Sequence, residues 1–131
     1  MPGFRDLKVW QRAKELAVEI YKLTQGGPFS SDFSLKDQIR RAAVSIASNV
    51  AEGDERGTNR EGIRFFYIAK GSLAELQTQL EIAQAIGYLD ENTLSSLNEK
   101  CLSKTSFVYS PVLASSSSSV GPAPRVSRMV Q

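Results

Sequence analysis

Arg40-Arg41-Ala42-Ala43-Val44-Ser45-Ile46-Ala47-Ser48-Asn49-Val50-Ala51-Glu52-Gly53 reads as one helix. Ile39, Ala43, Ile46 and Val50 recur at alternating steps of three and four and so share a face. Ala42, Ala47 and Ser48 are too short to hold a neighbouring helix at full distance. They let another backbone come close, because interaxial spacing follows the side chains at the contact. Two arginines open the segment and a glycine stops it. This is the surface of a packed bundle rather than the lining of a catalytic pocket.

Working outward, the same period fills the chain. Val9, Ala13, Leu16, Ile20 and Leu23 form a stripe on a first helix, with Trp10, Ala17 and Tyr21 on the adjoining face. Asp6 is the expected N-cap, and Gly26-Gly27-Pro28 is the expected stop. Ser31 or Ser34 is expected to cap the second helix, over roughly Leu35 to Gly53. Thr58-Asn59-Arg60-Glu61 has the form of a capping box and predicts the start of a third helix. Phe66, Ala69, Leu73, Leu76, Leu80 and Ala83 form its main seam. Phe65, Ile68, Ile82 and Ile86 form a second, broken stripe beside it, and Gly87 ends it. Such a helix is on the order of 45 Å long. Two stripes imply contact on two sides, one of them with the remaining helices or another copy of the chain. Gly71-Ser72 is read as a close-packing point in preference to a slight kink. Asp90 caps a fourth helix carrying Leu94, Leu97 and Cys101, with Val108 in phase.

Beyond about Tyr109 the period fails at Pro111, at the Ser115–Ser119 run and at Gly121-Pro122-Ala123-Pro124. A polar segment of this kind cannot offset its ordering entropy by burial. The expected architecture is all-α: an antiparallel up-down four-helix bundle over residues 1–109, with a short fourth helix, and a Ser/Pro-rich disordered C-terminal tail over 110–131.

Composition narrows function. The 131 residues include no histidine and one cysteine. Ser-His-Asp and Cys-His catalysis, His-Glu-x-x-His zinc sites and Glu-x-x-His di-iron sites are therefore excluded. No Gly-rich phosphate loop is present. The acidic group Glu52, Asp54, Glu55 and Glu61 is read as solvated charge at helix ends rather than a magnesium site. Cys101 is read as a small core residue. No cofactor and no enzymatic activity are expected. No apolar run nears the roughly 20 residues of a membrane span, and no secretory h-region opens the chain, so the expected location is the cytoplasm.

The formal net charge is +2, too mild to announce nucleic acid, but its distribution is uneven. Arg40, Arg41, Arg56, Arg60, Arg64 and Lys70 lie on the second helix, the following turn and the first half of the third. Glu75, Glu81, Asp90 and Glu91 follow. Cations at a helix N-terminus oppose its dipole, which suggests an anionic partner or charge pairing between subunits. These six residues are the candidate nucleic-acid-binding set. Asn49 and Glu52 are read as a hydrogen-bonded network with Arg41 or Arg56 that holds the close-packed segment.

Phe4-Arg5-Asp6-Leu7, then Val9-Trp10 and Ala13, resembles the opening of the four-helix bundle proteins associated with intervening sequences of bacterial 23S ribosomal RNA genes. Gln38 to Ile46, Ser48-Asn49, Ala51-Glu52-Gly53, Ile68 to Leu73, Glu75 to Leu80 and Gly87-Tyr88-Leu89 extend the likeness over roughly residues 3 to 90. The resemblance implies a homo-oligomeric ring, commonly a pentamer. It also brings in the accessory proteins of diversity-generating retroelements, basic pentamers that bind RNA or DNA and a reverse transcriptase. It implies a non-enzymatic, nucleic-acid-associated scaffold. The alternative is a structural module that binds a partner protein without nucleic-acid contact. Relatives continue the fourth helix for longer than this sequence does.

Overall fold

The computed structural model describes residues 3–56 and 59–102. Four α-helices follow in order: α1 Lys8–Leu23, α2 Phe33–Glu55, α3 Asn59–Ala85 and α4 Glu91–Leu102. Two 3₁₀ turns, Phe4–Asp6 and Gly27–Ser31, precede α1 and α2. No strand occurs among the described residues. Thr58, the C-terminal tail and Val108 lie outside them.

Contacts between the helices fix their directions. A Cβ on Gly53 would lie 3.0 Å from the Gly62 carbonyl oxygen. Ser45 and Ser72 meet hydroxyl to hydroxyl at 2.8 Å. As α2 runs back from 53 to 45, α3 runs forward from 62 to 72, so the two are antiparallel. Arg40, early in α2, reaches Thr24 at the C-terminal end of α1, whereas Trp10 near the start of α1 and Ala51 late in α2 line one groove. α1 and α2 are antiparallel too. The short α3–α4 link turns the chain back, and Lys100 of α4 pairs with Glu19 of α1.

The seams predicted from periodicity are the core. Ile20, Ile39, Ala43, Val50, Ala69, Leu76, Leu80 and Ala83 have no exposed surface, and Ile46 and Phe66 are 1% exposed. Leu97 and Cys101 bring α4 into the same core. Phe29 from the second 3₁₀ turn seals one end and meets the Tyr88 ring edge-on at 5.2 Å.

The helix ends differ in part from the sequence expectation. α1 starts after Leu7, with no side-chain cap. Asp6 is instead wound into the first 3₁₀ turn, which displaces its carboxylate from the cap position. α1 stops at Leu23, because the Thr24 hydroxyl turns back to the Ile20 carbonyl at 2.8 Å. The cap of α2 is Asp32 rather than Ser31 or Ser34: its Oδ1 accepts from the Leu35 amide at 3.1 Å. The other oxygen accepts from the Tyr88 hydroxyl at 2.8 Å. These two bonds hold the Asp32 carboxyl below its ordinary range, the amide contributing more. The same contact pushes the Tyr88 phenol up. Asp90 caps α4 as expected, accepting from the Thr93 amide at 2.7 Å, and its carboxyl is likewise lowered.

Gly87 ends α3 as expected. With φ at +88° it is followed by the bonds Gly87 N–H to Gln84 O and Tyr88 N–H to Ala83 O, a Schellman closure that glycine adopts without a Cβ penalty. The other two glycines exchange roles. Gly53 does not stop α2, which runs on to Glu55; it is buried where α2 crosses α3. Gly71 is exposed, and among the described residues nothing lies within 4 Å of where its Cβ would stand. The close-packing point is therefore Gly53 against Gly62, with Ser72 alone of the Gly71-Ser72 pair reaching α2.

Candidate functional site

The six basic candidates separate into four situations. Arg40 is a brace between helices. Its Nε donates to the Thr24 hydroxyl at 2.8 Å, its Nη2 donates to the Tyr21 carbonyl at 3.3 Å, and its guanidinium lies 4.3 Å from the Tyr21 ring centre. The last carbonyls of α1 lack helical partners and carry the negative end of its dipole, so a cation is well placed there. Arg41 is exposed and pairs along its own helix with Asp37 at 2.7 Å. It does not enter the bundle, because one residue's step round α2 turns it outward.

Arg56, Arg60 and Arg64 gather at the α2–α3 turn. Arg56 pairs with Glu52 at 3.3 Å and Glu61 at 3.7 Å. Its guanidinium is 4.7 Å from the Phe65 ring centre, and that of Arg64 is 5.7 Å from it. Arg60 and Arg64 stand four residues apart on one face of α3. Lys70 is exposed but lies about 240° further round α3 than Arg64. Along α2, Arg41 and Arg56 are about 22 Å apart. The six therefore do not form one patch. Four carboxylates, Glu52, Asp54, Glu55 and Glu61, share the turn with its three arginines. No group of three or more His, Cys, Asp or Glu placed to hold a metal occurs among the described residues.

The Asn49 network is local. Its amide donates to the Ser45 carbonyl at 2.8 Å and to the Ser45 hydroxyl at 2.9 Å, and that hydroxyl meets Ser72. Glu52 has the expected partner in Arg56, while neither Asn49 nor Glu52 meets Arg41.

The sequence reading did not anticipate a groove between α1 and α2. It has a volume of about 610 Å³. Trp10, Ala17, Val18 and Tyr21 form one wall; Val44, Ala47, Ser48 and Ala51 form the other. Phe4 closes one end by packing edge-on against Trp10, centroids 5.1 Å apart. Val18, Tyr21 and Val44 are 45%, 42% and 42% exposed. The second α3 stripe is also open, with Ile68, Ile82 and Ile86 at 41%, 48% and 53%. The sequence signal for the groove was the pairing of Trp10, Ala17 and Tyr21 with the small residues of α2.

A family model described as 23S rRNA-intervening sequence protein matches residues 5–109. The chain belongs to that family. No match is found among curated proteins. In this 23S rRNA-intervening sequence family member, several of the residues that carry the resemblance serve helix packing. Ser45, Asn49, Gly53 and Ser72 hold the α2–α3 contact, and Gly87 and Tyr88 close α3. No helix among the described residues is long and apolar enough to cross a membrane.

Proposed function

We propose that this family member is a non-enzymatic helical bundle that assembles with copies of itself into a ring, five-membered as the resemblance implies, and serves as a scaffold. The supporting observation is apolar side chains exposed on two separate faces, the α1–α2 groove and the α3 stripe. Contiguous exposed apolar surface marks interaction sites. A closed ring needs two different surfaces on each copy, whereas a twofold dimer needs one. Sedimentation of the full chain at micromolar concentration tests the reading. A pentamer is expected, and a clean monomer would reject it.

A second reading makes the scaffold nucleic-acid-associated, with Arg60 and Arg64 as the contact. Both are exposed at the start of α3, where amides and dipole favour an anion. Repetition round a ring adds their fields, although the neighbouring carboxylates offset much of the charge in each copy. Phosphate contacts release counterions, so binding should weaken steeply with salt. Titration with RNA and DNA oligonucleotides at two salt concentrations should show weaker binding and a flatter salt slope for Arg60→Ala/Arg64→Ala. Unchanged affinity and slope would remove the site. No binding by the unsubstituted protein would leave a module for protein partners, a reverse transcriptase among the classes the resemblance suggests.

A further inference from the structure

We infer that the α1–α2 groove of one copy receives the α3 stripe of the next, with Glu75 seated between Lys14 and Lys22. The inference rests on the assembly proposed above and names the surfaces that make it.

The two faces are complementary in shape. The groove is concave, with Trp10, Val18 and Tyr21 on its α1 wall and Val44, Ala47, Ser48 and Ala51 on its α2 wall. The stripe is a ridge: Ile68, Glu75 and Ile82 are spaced by seven and lie along one line of α3, with Ile86 continuing it. A ridge on one copy and a groove on another make a head-to-tail contact.

They are complementary in charge. The charged residues lining the groove are Lys14 and Lys22, about 12 Å apart along α1, and no acid lines it. The charged residue inside the stripe is Glu75, midway between Ile68 and Ile82. Among the described residues Glu75, Lys14 and Lys22 make no ion pair. Lys14 lies along the groove wall with its ammonium 5.7 Å from the Trp10 ring centre.

Gly71 gives an independent reason. It is in the middle of a 27-residue helix, beside Ile68 and Glu75 on the open face, and nothing lies within 4 Å of where its Cβ would be. Glycine there lowers helix stability relative to alanine, and no contact among the described residues requires it. The close approach of a neighbouring copy's backbone would. The alanines and serine of the α2 wall permit that approach.

The test uses full-length variants, two of which each block one surface. Val44→Glu blocks the groove and leaves the stripe. Ile68→Glu/Ile82→Glu blocks the stripe and leaves the groove. All three positions are more than 40% exposed, and unchanged helical circular dichroism verifies folding. Each variant alone should sediment as a monomer. Mixed, they should give a one-to-one heterodimer that grows no further, since one intact groove meets one intact stripe. Glu75→Lys should weaken assembly at least tenfold, and adding Lys14→Glu/Lys22→Glu to it should restore assembly. Either blocked variant assembling like the unsubstituted protein, or a mixture that stays monomeric, overturns the inference while the ring survives. A monomeric unsubstituted protein overturns both. If Val44→Glu leaves assembly intact but abolishes the quenching of Trp10 fluorescence by polyuridylate, the groove holds nucleic acid and the inference falls.

Discussion

Replacing Gly53 with alanine should destabilise the bundle, although alanine is the better helix former. The propensity gain is about 1 kcal/mol in a helix interior. Against it stand three contacts for the new methyl: the Gly62 carbonyl oxygen at 3.0 Å, the Phe65 Cβ at 3.2 Å and the Phe66 Cδ2 at 3.2 Å. The first two belong to or hang directly on the α3 backbone and cannot swing aside. Phe66 is 1% exposed and packed in the core. α3 must therefore move by a few tenths of an ångström, and overpacking of this kind costs about 1–3 kcal/mol. The net expectation is a loss of about 1 kcal/mol, a fall in Tm of about 4–8 °C for a domain of this size. Gly71→Ala supplies the control, since its methyl meets nothing; measured at a dilution where the chain is monomeric, it should gain up to about 1 kcal/mol. Urea unfolding followed by circular dichroism, at one protein concentration for all variants, reads both. If Gly53→Ala stabilises as much as Gly71→Ala, the crossing is not as close as described and the reasoning fails.

The arginines at 40 and 41 should behave oppositely: Arg40→Ala should cost about 1.5–3 kcal/mol, because it strips a charge-assisted bond from the buried Thr24 hydroxyl, whereas Arg41→Ala should stay within about 0.5 kcal/mol, its pair being exposed. Equal losses in thermal melts would contradict these assignments. Stability should also depend on pH at both extremes. Asp32 and Asp90 have lowered folded pKa values, so their contribution is complete above the ordinary carboxylate value of about 3.9 and fades as pH falls through the lowered ones. Tyr88 is raised, so its contribution is complete below about 10 and fades as pH climbs through the raised value. Tm measured against pH should show an alkaline decline that Tyr88→Phe flattens; an identical alkaline profile in that variant would rule out the Asp32–Tyr88 contact as its source.

The core was legible in the sequence because burial follows helical period. Every residue of the Phe66-to-Ala83 seam and the Ile39-to-Val50 face is buried. What failed were choices among near neighbours of similar type. Ser31, Asp32 and Ser34 are all competent caps, and the choice of Asp32 coincides with a bond from Tyr88, 56 residues away. Gly53 and Gly71 look alike along the chain, and only the register of α2 against α3 decides which one faces a backbone. The basic set read as one group because sequence proximity was taken for spatial proximity. Helical rotation separates Arg40 from Arg41 and turns Lys70 away from Arg64. The α1–α2 groove stayed hidden because its walls come from segments each amphipathic in its own right, and the cleft exists only once the two are paired.

The bond between Tyr88 and Asp32 joins the far end of α3 to the start of α2. At the opposite end the two helices are already joined by the short connection after Arg56. The hairpin is thus latched at both ends, with Gly53 and the Ser45–Ser72 pair between. Neither end is free to fray, and its amides should be the slowest to exchange with deuterated solvent, as befits the unit that opens last. α4 shares a smaller interface with its neighbours, and its amides should exchange first among the helices. Opening of the fourth helix then leaves the α2–α3 pair standing, so sub-global unfolding begins at the shortest helix.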